Sequence, residues 1–593
     1  MDSFKHFFKR WWGSKLAPFI VILLMAIALM SKQLLTHSVL LGADSIFHFN
    51  RFYDAAMQIK TGKFNYFQSN FGFDQTGRVV NAIYGPVVSY LSGALLILCR
   101  NWYMFQSVQA IIFLTIAGLT MYLLCIKNHV SRGYAMVIGI LYMYSSQLMG
   151  WITTQQFAGV GAMLVPLLVL TGTEAIKKKR ISIPYLALAM TLLIQTHIMS
   201  TIIGFIAVIP LFLVALLHTN HKFKMIVHTF IAAIITLALT ANVWGSALEL
   251  FGNNYLMPVF PVDNMEDYAF RFDHYSWFSL VKPVEMLVFL FVIYYFIRHF
   301  KRSDLITRTL TFTGAFFLLA STTLFPWQTL QKLFPFLSSN LQFPKRFLVI
   351  PFVMLLLVFG KILTADHHVL TLRAFNEPKL FRYALLFALI GVNMGINGYN
   401  MDFKVDKSNQ MVANHYPWAP IAHAYMYVKH NHHTIKQDFF GDNWQYLIRD
   451  INKATPDYLP VKSNLQPDDY TKLHPYYTAH YQLIIPNFNN DFNKQVNADG
   501  SLTVSWKNKA LTSKNVQVPV VKYANTQVTL NGKTNANVKT TEIGAIIAHS
   551  KVGKNTMTIK YVNNQQFNLL MIVFLISWLL MIIYLGAKLI FKF

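Results

Sequence analysis

Charge is scarce in this chain. Only 13% of its 593 residues are charged, half of the roughly 25% carried by a soluble globular domain, while 54% are hydrophobic. Acidic residues are the scarcest, 25 Asp and Glu against 51 Lys and Arg, for a formal net charge of +26. Cysteine is nearly missing as well. Cys99 and Cys125 both fall inside apolar segments, which excludes a disulfide framework and a cysteine-based metal site. No P-loop, nucleophile elbow or Gly-rich dinucleotide fingerprint stands between a strand and a helix. No internal repeat of fixed period is visible, which argues against a solenoid and against repeat-built transporters.

What the chain has instead is long uncharged stretches, at 133–173, 181–217, 383–401 and 561–587. They match or exceed the ~20 apolar residues of a membrane helix. A polytopic α-helical membrane protein follows, with apolar segments near 16–35, 84–99, 104–126, 134–149, 157–175, 183–198, 200–217, 225–246, 284–298, 307–325, 345–363, 382–401 and 567–590. Basic clusters separate them: Lys127 with Arg132, 177–180, Lys222 with Lys224, 298–308 and 373–382. Excess Lys and Arg mark cytoplasmic loops. With both tails, these loops hold 22 Lys/Arg against 5 Asp/Glu, so orientation accounts for most of the net charge and no nucleic-acid partner is expected. The basic N-terminus (Lys5, Lys9, Arg10, Lys15) precedes an apolar run with no small-residue cleavage site, which reads as an uncleaved first helix.

Two cytoplasmic termini require an even number of crossings. The short segment 84–99, which begins Tyr84-Gly85-Pro86, is the one expected to re-enter rather than cross. Residues 1–401 then form a multi-helix domain with outer loops 36–83 and 249–282, residues 402–566 an extracytoplasmic domain, and residues 567–593 a last helix with a short cytoplasmic tail. Period-two alternation at 502–506, 516–520, 527–530 and 556–561, with the hairpin dipeptides Asp499-Gly500 and Asn531-Gly532, predicts a β-sandwich in the second half of the extracytoplasmic domain. Its first half, 416–450, is less regular, with helix expected at 419–430.

Chemistry is most concentrated just after the first helix. Asp44, His48 and Arg51 recur at i, i+4 and i+7, which places them on one helical face. A carboxylate there can take a proton from a hydroxyl, and a guanidinium can bind phosphate oxygens two at a time. The alternative is that Asp44 caps the helix. Arg346 reads either as a phosphate ligand or, with Lys345, as an interfacial anchor. Gln195 and His197 lie between apolar helices. Glu249, Asp263, Glu266, Asp267, Arg271, Asp273 and His274 form a loop that is either solvated or faces Asp44. The spacing of His430, His432 and His433 fits no standard ligand pair and reads as surface.

The motif Gly42-x-Asp44-x-x-x-His48-x-x-Arg51, followed by Gly62-Lys63-Phe64 and Tyr84-Gly85-Pro86, is similar to bacterial GT-C-type membrane proteins. More closely it resembles the YfhO-like and "6-pyruvoyl-tetrahydropterin synthase-related" membrane families of Gram-positive bacteria. Two further stretches carry the likeness: Gln342-Phe343-Pro344-Lys345-Arg346-Phe347, and the C-terminal pattern of Tyr523, Asn531-Gly532-Lys533, Gly544, Gly553-Lys554-Asn555 and Ile559-Lys560-Tyr561. The resemblance implies a glycosyltransferase of the bacterial cell membrane, moving a sugar from a polyprenyl-phosphate donor to an extracytoplasmic cell-envelope glycopolymer or lipid. It implies Asp44 as the catalytic carboxylate with His48 beside it, and Arg51, Gln342 and Arg346 as substrate-binding residues. If a divalent metal ion serves as cofactor, Asp44 is its ligand. The chain departs from the pattern in one respect: many GT-C enzymes pair two acids in this loop, whereas Ser45 follows Asp44 here, and Asp54 and Asp74 are the other acids nearby. A lipid-linked sugar flippase and a non-catalytic membrane scaffold for envelope assembly stand as alternatives.

Overall fold

The computed structural model describes residues 14–271, 283–365, 378–414, 424–426, 434–465, 467–488 and 491–590. All thirteen apolar segments contain helix. Among the described residues, seven helices are long and apolar enough to cross a membrane: Trp102–Lys127, Ala158–Lys178, Ile198–Leu217, Lys222–Leu239, Pro344–Ala365, Arg382–Ala413 and Gln565–Lys588. An eighth arises if Arg132–Met143 and Ser146–Thr154, bent by 43° at their junction, count as one span. The shorter apolar helices Ala17–Leu29, Pro86–Cys99, Ile183–Thr196 and Leu305–Ala320 make up most of the remainder. Pro86–Cys99, with 14 residues, is about 21 Å long at 1.5 Å per residue, against a hydrocarbon core of about 30 Å.

Pro344–Ala365 is the axis of the bundle. From Val349 to Gly360 every side chain is buried, as expected of a helix that is apolar all round. The last helix is its opposite: it packs mainly along Lys222–Leu239 and Ala241–Asn253 and leaves Leu569, Ile572, Leu575, Leu579 and Ile583 open to lipid.

Residue 402, the expected start of the polar domain, lies within the helix Pro378–Asn414. At 37 residues it measures about 55 Å, well beyond the bilayer core, and its second half carries Asp402, Lys404, Asp406 and Lys407. Of 419–430, only 424–426 is described, and it is not helix: Ala424–Met426 is a strand paired with Ile451–Lys453. His430, His432 and His433, like Asp273, His274 and Arg373, lie outside the described residues.

The C-terminal region is β-rich and forms two sheets. We label its strands β1 (Asn493–Val496), β2 (Leu502–Asn508), β3 (Lys514–Val521), β4 (Thr526–Leu530), β5 (Lys539–Thr540), β6 (Ala545–Ser550) and β7 (Gly553–Tyr561). One sheet has the order β4-β7-β2-β1 and the other β5-β6-β3, with antiparallel pairs throughout. Val504, Trp506, Val518, Val520, Ile546, Ala548, Met557 and Ile559 fill the space between them. Asn531 and Gly532 both take positive φ, 49° and 84°, as the primed hairpin turn requires.

This β-rich region is fused to the loop that follows the first helices. Phe67 stacks on Tyr561 with ring centroids 4.3 Å apart. The Tyr523 hydroxyl accepts from the Val79 amide and donates to the Tyr458 carbonyl. A single apolar cluster draws on 67–83, 250–257, 459–483, 521–545 and the start of the last helix. The chemistry-bearing loop is therefore held between the helix bundle and the β-rich region.

Candidate functional site

The helix Ser45–Thr61 is buried along most of its length, and its start is pinned from behind. The Asp44 amide donates to the Thr154 carbonyl at 3.2 Å. The Gln155 side-chain oxygen accepts from the Gly42 amide and from the Ser45 hydroxyl. Glycine is needed at 42, because a Cβ there would stand 2.2 Å from Thr154 Cα.

Asp44 occupies the N-cap position, yet its carboxylate makes no bond to the first-turn amides. The capping alternative therefore holds for position only. Its Oδ1 lies 3.4 Å from Lys453 Nζ; the Asp44 side chain is 42% exposed and that of Lys453 10%.

His48 and Arg51 face the interior. Arg51 Nη1 donates to His48 Nδ1 at 3.0 Å, and since a guanidinium has no acceptor, this assigns the imidazole proton to Nε2. The ring stacks on Phe157 at 4.9 Å and meets the edge of Trp151 at 5.4 Å. Burial first, and then the Arg51 charge, hold His48 far below the usual imidazole range, so it is neutral. Arg51 also donates from Nε to Asn81 Oδ1 and from Nη2 to the Tyr84 carbonyl and to Ser89 Oγ, and lies over the rings of Tyr84 and Phe157 at 4.6 and 4.8 Å. Each of its nitrogens is thus engaged by protein. The guanidinium joins the Asp44 helix to the Tyr-Gly-Pro lead-in of Pro86–Cys99, and its fully buried position leaves it without an open face toward a phosphate.

Arg346 stands at the start of the axial helix. It donates to the Leu341 carbonyl at 2.8 Å and to Gln342 Oε1 at 3.1 Å, and it lies 4.8 Å from the Phe343 ring. Gln342 in turn donates to the Phe260 carbonyl, so it braces Arg346 against the 255–262 loop. A small cavity opens beside Arg346, walled by Gln147, His197, Ser200 and Val349. His197 caps the helix Ile198–Leu217 by accepting from the Ser200 amide. Gln195 is spent between helices, on Asn242 and the Leu239 carbonyl.

The residues around Asp44 form a run of alternating charge. Arg346 and Asp44 feel each other's field; Lys453 pairs with Asp44; Asp457 interacts with Lys453 and Arg78; Asp74 interacts with Arg78 and Lys494. Hydrogen bonds fix the links. Arg78 donates to the Thr455 and Asp457 carbonyls, Asn452 to Asp74 Oδ1, and Lys494 to the Asp74 and Pro519 carbonyls at 2.7 and 2.9 Å. The run leads from the axial helix through the Asp44 cap to the β-rich region. Burial lifts Asp457 to about 6 against the pull of Arg78 and Lys453, and lifts the Tyr84 phenol to about 12. One oxygen of Asp457 is buried with no hydrogen-bond partner among the described residues.

Lys453, Asp457, Arg78 and Lys494 were not among the candidates drawn from the sequence. Residue 453 stands 409 positions from Asp44, and no local spacing marks it. The nearby acids Asp54 and Asp74 play other parts. Asp54 accepts from the Phe71 and Gly72 amides and from Gln58, and burial outweighs those bonds to bring it to about 6. In the 249–282 loop, Glu249 is buried and accepts from Asn525 and the Asn564 amide, while Asp263 and Asp267 are exposed. Among the described residues no three His, Cys, Asp or Glu side chains come together to hold a metal ion. At Asp44 itself an ammonium already adjoins the carboxylate, so this donor set does not fit a divalent cation.

No family model matches the chain, and no curated protein matches it. Among solved structures, it is similar to the oligosaccharyltransferase of Archaeoglobus fulgidus, tethered by a disulfide bond to an acceptor peptide containing the NVT sequon. The identity is 15% and the TM-score 0.38, over 65% of this chain and 55% of that one. This chain thus spans about half of that protein.

Proposed function

We propose that the protein is a GT-C-like membrane glycosyltransferase, with Asp44 as the base that takes the proton from an acceptor hydroxyl. The observation that carries this reading is the state of the Asp44 carboxylate. It is released from capping, partly open, paired with Lys453, and within the field of Arg346 at the head of the axial helix. A carboxylate so placed can accept a proton while the acceptor oxygen attacks the sugar's anomeric carbon and the bond to the phosphate oxygen breaks. Arg346, at the head of the axial helix, is placed to balance the charge that develops on the leaving phosphate. His48 is neutral and, with its ring packed among Phe157 and Trp151, acts with Arg51 to fix the helix that presents Asp44.

In this proposal the donor is a polyprenyl-phosphate sugar, whose chain lies in lipid beside the bundle, and the acceptor is an envelope glycan or lipid. The protein lies in the bacterial cell membrane with both termini cytoplasmic and the β-rich region outside, the orientation that the basic loops favour.

The test is sugar transfer from polyprenyl-phosphate donors by membranes with and without the protein. Asp44→Asn is expected to lower transfer by roughly 10²-fold or more, the scale of a lost general base, at an unchanged protein level. Full transfer by the Asn variant would retire the reading.

A further inference from the structure

We propose that Lys453 is the positioning residue of Asp44, so that the segment after residue 434 completes a site whose acid is carried by the helix bundle. The inference rests on the reading of Asp44 as the base and adds a residue to it.

Asp44 lacks the usual means of orienting an N-cap carboxylate, the first-turn amides. What it has is Lys453. The ammonium donates to the carbonyl of Ala43 as well as approaching Asp44 Oδ1 at 3.4 Å, so it grips the main chain and the side chain of the cap together. The difference in exposure gives the pair a direction. The lysine is largely enclosed and the carboxylate partly open; the contact with Lys453 is made through Oδ1, and among the described residues no hydrogen bond is made to Oδ2, the oxygen assigned here to meet a hydroxyl.

The segment holding Lys453 is itself braced on both sides. Ile451–Lys453 pairs with Ala424–Met426. One residue before Lys453, Asn452 donates to Asp74; two residues after, the Thr455 carbonyl and hydroxyl accept from Arg78. Both partners belong to the loop that follows the Asp44 helix, so the lysine and its acid are referred to the same frame. Asp457 lies within electrostatic range of both Lys453 and Asp44, so the ammonium offsets the charge of two carboxylates.

A lysine that orients the base and one that binds the donor phosphate give different kinetics. Lys453→Met is expected to lower kcat by roughly 10²-fold, the scale of a misplaced reacting group, with the KM for the polyprenyl-phosphate sugar nearly unchanged. Lys453→Arg, which keeps a donor, should recover most of the rate. The double variant Asp44→Asn/Lys453→Met should be no slower than Asp44→Asn, because a residue acting through another adds nothing once that other is gone. A raised KM with kcat intact, or losses that multiply in the double variant, would overturn the proposal.

A second measurement reads the pair without activity. Treating the full chain in detergent with a water-soluble carbodiimide should join Asp44 to Lys453. The activated carboxyl gives up its oxygen to the urea product and the amine closes an amide, detected by mass spectrometry as one linked peptide. The link should vanish in Lys453→Arg. Failure to link in the wild type would strike the Asp44–Lys453 pairing and the proposal with it. A clean link together with full activity in Asp44→Asn would instead strike the functional reading, and the positioning role would fall for that reason.

Discussion

Asp44 and Arg51 stand on one helix in opposite surroundings, the first partly open beside Lys453 and the second fully buried. The i, i+4, i+7 spacing correctly puts them with His48 on one helix, but spacing does not say which end of that face is buried. Asp44 stands at the open end. Because its carboxylate caps nothing, Asp44→Ala should cost well under the ~1 kcal/mol of a lost N-cap, so the Ala and Asn variants should accumulate alike and differ from wild type in activity rather than amount. Arg51 stands at the closed end, where its planar fork serves Asn81, Ser89 and the Tyr84 carbonyl together. A lysine carries the charge, but its donors radiate from a single nitrogen and cannot span the acceptors that the guanidinium meets from separate nitrogens. Arg51→Lys should therefore leave buried acceptors unpaired at about 1–3 kcal/mol each. We expect a lowered Tm in detergent and reduced membrane levels, whereas a variant that folds as well as wild type and fails only in donor affinity would return Arg51 to the role of a phosphate ligand.

At the scale of elements, apolar runs and period-two alternation carried most of the fold. The thirteen segments contain helix and a hairpin forms at Gly500, while the turn at Gly532 is closed by a single bridge, Leu530 to Lys533, and leads from one sheet to the other. The misjudged elements are those decided by distant contacts. The helix Pro378–Asn414 continues past the membrane-like stretch because Met401, Val405 and Met411 are buried against the bundle, and 424–426 is a strand because Ile451–Lys453 pairs with it. Gly42 is a case in which backbone meets backbone. Its approach to Thr154 sets the Asp44 amide on the Thr154 carbonyl, and a methyl group there would fall 2.2 Å from Thr154 Cα and 2.6 Å from its carbonyl carbon. Neither atom can rotate away. Gly42→Ala should cost about 1–3 kcal/mol, as overpacking does, and should shift the Asp44 cap, so transfer is expected to fall further than protein level does. Equal losses in the two measurements would mean that the glycine matters for folding alone.

Across the whole molecule, the site lies at the junction of the bundle and the β-rich region. Only half of it was legible, because a local pattern cannot reveal that residues 453 and 457 return to residue 44. The junction also buries acids, and this gives it a pH dependence with a definite sign. Asp457, at 3.8 in its ordinary state and about 6 here, holds its proton more tightly folded than unfolded. Below about 4 both states keep the proton and nothing is lost; between 4 and 6 the unfolded state releases it first; above 6 the fold bears the full cost of a buried charge. Stability from this group therefore falls as pH rises through that window. His48 and His480, both held below the usual imidazole range by burial, act in the opposite sense, since the unfolded chain takes up their protons as pH drops through 6.5. The wild-type profile alone mixes the two effects, and a comparison separates them. Asp457→Asn keeps the shape and removes the titration, while the histidines remain in both proteins. The Tm of the wild type relative to Asp457→Asn should rise as the pH is lowered from 7 to 4.5, with the change concentrated between 6 and 4.5. A difference in Tm that stays constant over that range would mean that Asp457 titrates normally, and that Lys453 and Arg78 offset its burial in full.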